Sequence, residues 1–128
     1  MNATMIMYVA LGGAVGAVGR YGVMSMVGAV AGIGFPYGTL SVNIIGSLIL
    51  GIFIEISALA WSPSHEIRTL VVVGVLGSFT TFSMFSLDVI NLVTRGETIS
   101  ALIYIGSSVL FSIGAIWLGI MLTRLIIT

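Results

Sequence analysis

What most constrains this chain is the spacing of its charges. They fall at Arg20, Glu55, the His65–Glu66–Arg68 cluster, Asp88, the Arg95–Glu97 pair and Arg124, and the intervals between are overwhelmingly apolar. A run of about 20 apolar residues is enough for a helix to cross the hydrocarbon core of a bilayer. Four such runs fit in 128 residues: about 5–26, 39–60, 67–94 and 100–125. Only 6% of residues are charged against 59% hydrophobic, whereas a soluble domain carries about 25% charged residues. Too little polar material exists to cover a water-soluble globule, so an integral membrane protein is expected.

The same numbers exclude other classes. Net charge is zero and there is no Lys, so no basic patch exists for a nucleic acid. Without Cys there is neither a disulfide framework nor a thiolate metal site. No catalytic pair stands out, and the single His65 is expected in a solvated loop beside Glu66, with no second His to share a metal. An enzyme is not expected.

The runs are continuous rather than alternating, which favours helices over barrel strands. Gly28 to Gly38, with Gly32, Gly34 and Pro36 between, is expected to be a loop. Trp61-Ser62-Pro63 breaks the chain again at a position suited to a membrane–water interface. The first run lacks a positive leader and carries Arg20, so it is expected to stay in the mature protein. The expectation is one all-α domain over 1–128 with four transmembrane helices and short loops.

Orientation follows Lys and Arg near helix ends. Arg68 and Arg124 fall on one side; Arg95 falls on the other, joined by Arg20 if its side chain snorkels that way. Two against two is no bias. A chain without an orientation signal can insert both ways, and the natural assembly is then an antiparallel homodimer with its two-fold axis in the membrane plane. The plainer alternative is that so few charges give the rule nothing to act on. Gly12/Gly16, Ser47/Gly51 and Ala115/Gly119 are small-residue pairs four apart, a spacing that lets helices approach closely in lipid.

Polar groups at membrane depth usually face protein or water. Asn43, with Ser47 and Gly51 on the same face of the second helix, is one; the plainer role is an interhelical hydrogen bond. Tyr104, Ser108 and Ser112 recur every four residues on the fourth helix. That stripe fits a hydrated path or a polar interface, against the plainer option of hydroxyls bonding their own helix carbonyls. In the third helix, Gly77-Ser78-Phe79-Thr80-Thr81-Phe82-Ser83-Met84-Phe85-Ser86 places glycine and hydroxyls mid-span. A local break near 77–81 is expected, and such backbone is tolerated only against protein or a cavity. A break frees carbonyls for a hard cation and N–H groups for an anion. Phe82 and Phe85 share a face there, and ring edges carry partial positive charge; ordinary packing is the plainer role. No span carries a carboxylate at its centre, which argues against proton-coupled transport. Neutral donors release an anion more readily than a fixed positive charge does. Together these residues point to a small-ion channel and leave the ion unnamed.

Three ordered motifs add a resemblance. Gly12-Gly13-x-x-Gly16-x-x-x-Arg20-Tyr21, Gly38-Thr39-Leu40-x-Val42-Asn43-x-x-Gly46 and the Gly77–Ser86 stretch are similar to the CrcB/Fluc fluoride-channel family over essentially the whole chain. The resemblance implies an antiparallel dual-topology dimer in the prokaryotic plasma or inner membrane, with two fluoride pores and no nucleic-acid partner. It implies export of fluoride accumulated as its neutral acid, and so fluoride resistance. It gives Asn43 the role of pore donor, and Phe82 and Phe85 that of ring edges facing fluoride. Tyr104, Ser108 and Ser112 become a polar track, with Thr39 and Ser83 as further contacts. The carbonyls of Gly77 and Thr80 from both copies would hold a structural sodium on the two-fold axis, and Arg20 would serve a vestibule or folding role. The chain departs from the family with Ser78 for a second glycine, Met84 for a threonine and Asp88 where glutamate is common.

Two other classes compete. A small multidrug transporter shares the length and helix number, but needs a carboxylate in the first helix that is missing here. A purely structural helix pack has no use for a broken span with an in-register hydroxyl stripe.

Overall fold

The computed structural model describes residues 1–128 and is entirely helical. Four helical spans are long and apolar enough to cross a membrane. They comprise α1 (Ala3–Ala31), α2 (Tyr37–Leu59), an interrupted third span over His65–Thr94, and α6 (Thr98–Ile127). The third span is built from α3 (His65–Arg68), a π-helical stretch (Thr69–Leu76), the short turn α4 (Gly77–Phe79) and α5 (Phe82–Thr94).

Local chemistry sets the ends. The Asn2 side chain caps α1 by accepting from the Met5 N–H at 2.9 Å. Glycine alone does not end α1: the helix runs through Gly28, inside the expected loop, and stops at Gly32, whose φ of 81° is cheap only for glycine. The loop is therefore shorter than the composition suggests, and Gly38 lies inside α2. The Ser64 hydroxyl caps α3 by accepting from the Ile67 N–H at 3.3 Å. His65 thus opens a helix instead of sitting in the loop, although it is exposed as expected. At the end of α5, Gly96 (φ 79°) donates to the Val93 carbonyl and Glu97 to the Leu92 carbonyl, a pair of bonds that closes a helix on a glycine.

The helices pack as two close pairs. In the first, α1 lies on the π-helical stretch with Gly12 facing Gly74, so near that a Cβ on Gly12 would sit 2.9 Å from the Gly74 Cα. Gly16 follows one turn on, against the Val75 carbonyl. In the second, α2 lies on α6: a Cβ on Gly119 would sit 3.0 Å from the Ile52 nitrogen, and Gly51 abuts the Ile116 backbone. Gly12 and Gly16 of α1, Gly51 of α2 and Gly119 of α6 are thus used for packing within the chain.

Only 18 of 128 residues are buried, and Ile, Leu, Val and Phe side chains cover the outside. In water that surface would be unsustainable; in a bilayer it is the expected exterior. The chain is a multi-pass membrane protein.

Candidate functional site

The site begins where the third span fails to continue. Thr80 and Thr81 are extended (ψ 158° and 120°), separating α4 from α5. In an unbroken helix the Thr81 N–H would donate to the Gly77 carbonyl. Here it donates to Asn43 Oδ1 at 2.8 Å, while Asn43 Nδ2 donates to the Thr81 carbonyl at 3.1 Å. The Asn43 amide therefore acts as a substitute peptide, pairing both backbone groups of Thr81. That pairing fixes which way the amide points: the N–H of Thr81 needs an acceptor and its carbonyl needs a donor. One Nδ2 hydrogen of Asn43 remains.

The Thr81 hydroxyl caps α5 by accepting from the Met84 N–H at 3.2 Å, and it lies 3.2 Å from the Ser83 hydroxyl. The Thr80 hydroxyl and N–H both donate to the Leu76 carbonyl, at 2.9 and 3.1 Å. The Thr80 carbonyl itself receives no donor from the chain.

Around this break lies a cavity of about 410 Å³, open on one side. Asn43, Gly77, Thr80 and Thr81 line it from α2 and the third span; Phe82 and Phe85 line it from α5; Ser108 and Ser112 line it from α6. The two rings stand 5.4 Å apart, and Phe82 is 77% exposed. Ser108 is buried, and its hydroxyl oxygen finds no hydrogen-bond partner. A buried hydroxyl without a partner is costly, and this one belongs to a residue of the cavity wall.

Of the residues expected at a site, Asn43, Phe82, Phe85, Ser108, Ser112, Gly77 and Thr80 come together at this cavity. Ser83 lies next to it, tied to Thr81. Tyr104 and Thr39 do not line it. Tyr104 is fully buried, and its hydroxyl donates to Asp88 Oδ2 at 2.9 Å, with Thr39 beside that hydroxyl. The hydroxyl stripe of α6 therefore divides, two members at the cavity and one turned to a carboxylate. Arg20 is half-buried on α1, away from the cavity, and has no acidic partner; Asp88 pairs with Tyr104 instead. Glu55 is buried and accepts from Arg124 Nε at 3.0 Å, joining the far ends of α2 and α6.

Sequence reasoning missed Thr81 as the group that Asn43 holds and Phe35 as a neighbour of Tyr104. The partner of Asn43 lies 38 residues away, and no local pattern marks it.

Four apolar spans, three of which line an open cavity that sets a few polar groups at a broken helix, define a membrane protein of the channel and transporter class. Similarity to known proteins narrows this. The family described as "CrcB-like protein, Camphor Resistance (CrcB)" matches residues 7–120, and the chain belongs to it. A protein of Nitrobacter winogradskyi is 47% identical over 126 residues, covering 98% of this chain and all of its own; it is named fluoride-specific ion channel FluC. One of Nitrobacter hamburgensis, FluC 1, is 43% identical over the same shares. A Rhizobium etli FluC is 47% identical over 91% of this chain and 93% of its own. These are names of ion channels, not of enzymes.

Proposed function

We propose that this chain conducts fluoride passively across the prokaryotic cell membrane, as a pair of oppositely inserted copies. The observation that carries the reading is the cavity at the helix break: Asn43, Ser112, Phe82 and Phe85 stand together in an otherwise apolar lining, and the buried Ser108 hydroxyl beside it lacks a partner. Fluoride is small and accepts hydrogen bonds strongly. The free N–H of Asn43, the hydroxyls of Ser108 and Ser112 and the edges of Phe82 and Phe85 replace its water without a fixed positive charge that would trap it. Ser83, held by Thr81, extends the donor set towards Phe82. Tyr104 and Thr39 enter as the wall behind Phe85, with the Tyr104 proton committed to Asp88. Arg20, clear of the cavity, has a folding or vestibule role.

The open side supports a second copy. The Thr80 carbonyl, Ser112 and the Asn43 amide cannot face lipid tails. An antiparallel partner, admitted by the balanced Arg distribution, covers them and closes each cavity into a pore. The donor set at the break also suits sodium. Hard cations take oxygen ligands, Gly77 has lost its helical donor and Thr80 has none, so a symmetric pair offers four carbonyls. Bound there, sodium supplies a fixed charge that offsets converging carbonyl dipoles. The relatives' shared channel name and the family membership support the whole reading. Its biological result is relief from fluoride toxicity.

Ion efflux from liposomes holding the purified chain tests it. Rapid fluoride loss with little chloride and no need for a proton gradient is expected. Fluoride loss only when a proton gradient is imposed favours a transporter; no flux from a folded protein favours a structural role.

A further inference from the structure

Resting on that channel reading, we infer that Phe35 is a positioning residue for the pore: it closes the outer end of a column of rings that holds Phe85 in place. The column begins on the loop between α1 and α2. Phe35 meets Tyr104 edge-on, with centroids 5.5 Å apart at 84°. Tyr104 meets Phe85 at 5.1 Å, and Phe85 meets Phe82 at 5.4 Å. Only Phe85 and Phe82 reach the cavity. Tyr104 is the link. Asp88 holds its hydroxyl, and Phe35 lies against its ring.

The loop that carries Phe35 is itself fastened. Arg95 Nη2 donates to the Gly34 carbonyl at 2.7 Å, and the same group pairs with Glu97 at 2.9 Å. The Gly34 carbonyl belongs to the peptide that enters Phe35, so this clasp fixes the ring's root. Pro36 follows at once, which confines the Phe35 backbone. On its other flank Phe35 packs against Tyr37 at 4.8 Å. Beneath the loop is a small pocket of about 110 Å³, bounded by Asp88, Asn91 and Arg95. Without the Phe35 ring, Tyr104 has room to tilt about its bond to Asp88, and Phe85 loses its backing.

A ring edge serves as a donor only while it points at the ion. Fluoride, the smallest halide, is the anion most sensitive to a misplaced edge. Phe35 therefore affects selectivity through Tyr104 and Phe85, without touching the ion.

The test is fluoride and chloride efflux from liposomes holding the full chain, as wild type, Phe35→Ala, Phe35→Leu, Phe35→Tyr and Arg95→Gln. Phe35→Ala is expected to lower the fluoride-over-chloride ratio by roughly two- to tenfold, the factor that one aromatic pair is worth. Phe35→Leu shifts the ratio less, Arg95→Gln shifts it in the same direction, and Phe35→Tyr keeps the ring and restores it. The ratio is the deciding readout, because loss of folded protein lowers both fluxes together and leaves it unchanged. Should Phe35→Ala fail to fold, Phe35→Leu, which keeps apolar volume, carries the test. An unchanged ratio in folded Phe35→Ala, or in folded Phe35→Leu should the alanine variant not fold, overturns the inference while the channel reading stands. Wild-type liposomes that pass no fluoride remove the channel reading, and this inference with it.

Discussion

Replacing Asn43 with alanine removes the amide that pairs both backbone groups of Thr81. Two estimates bracket the effect. Side-chain hydrogen bonds in membrane proteins average about 0.6 kcal/mol, so two bonds set a floor near 1 kcal/mol. A buried backbone group left without a partner costs about 1–3 kcal/mol, so two orphaned groups set a ceiling near 6 kcal/mol. The site lies beside an open cavity, where water can reach part of the exposed backbone and pull the value down from that ceiling. The expected loss is about 2–3 kcal/mol, read as a shift in reversible unfolding of the chain in bicelles, followed by circular dichroism. Asn43→Asp separates the two roles of the residue. Its carboxylate still accepts from the Thr81 N–H, loses the donor to the Thr81 carbonyl, and places a negative charge in an anion path. It is expected to lose nearly all fluoride flux, with no gain in stability over Asn43→Ala, because a carboxylate oxygen then faces the Thr81 carbonyl oxygen. An Asn43→Ala protein that unfolds within about 0.5 kcal/mol of wild type, less than one ordinary net hydrogen bond, would refute the idea that this amide holds the break.

Further outcomes follow from other contacts. Ser108→Ala removes a buried hydroxyl that has no partner, so stability is expected to hold or rise by up to about 1 kcal/mol while fluoride flux falls; a marked loss of stability in the unfolding titration would mean that the hydroxyl is bonded. Phe82→Ile and Phe85→Ile are expected to cut fluoride efflux while gel filtration shows assembly unchanged, and normal flux in both would remove the ring-edge role. The Glu55–Arg124 pair is asymmetric, with side chains 9% and 53% exposed. Arg124→Ala strands a buried carboxylate and is expected to cost about 3 kcal/mol, whereas Glu55→Gln leaves an arginine that water can reach and costs below about 1 kcal/mol. Equal effects of the two substitutions on thermal unfolding would contradict that asymmetry.

The spans were legible because charge spacing is a local, one-dimensional signal, and the four helical spans overlap the four charge-poor apolar runs. The break was legible for a related reason: glycine and clustered hydroxyls at Gly77–Ser83 weaken a helix wherever they stand. What the sequence hid was pairing at a distance. Asn43 reads as a free donor until Thr81, on another span, is seen to take its oxygen and one N–H. Tyr104 reads as the third hydroxyl of a stripe, yet Asp88, 16 residues earlier, claims its proton. The π-helical stretch over Thr69–Leu76 has no mark of its own in the sequence; it lies where Gly12 and Gly74 bring two backbones together. Gly28 misled in the opposite sense. It permits a turn, but nothing in its surroundings demands one, and α1 continues to the glycine that takes a positive φ.

Current across a planar bilayer gives the sharpest check that fluoride crosses passively and selectively. With unequal fluoride and unequal pH on the two sides, the account expects the current to reverse at the fluoride equilibrium potential, wherever the pH gradient is set. A reversal potential that moves with the proton gradient, or that follows chloride, would contradict it.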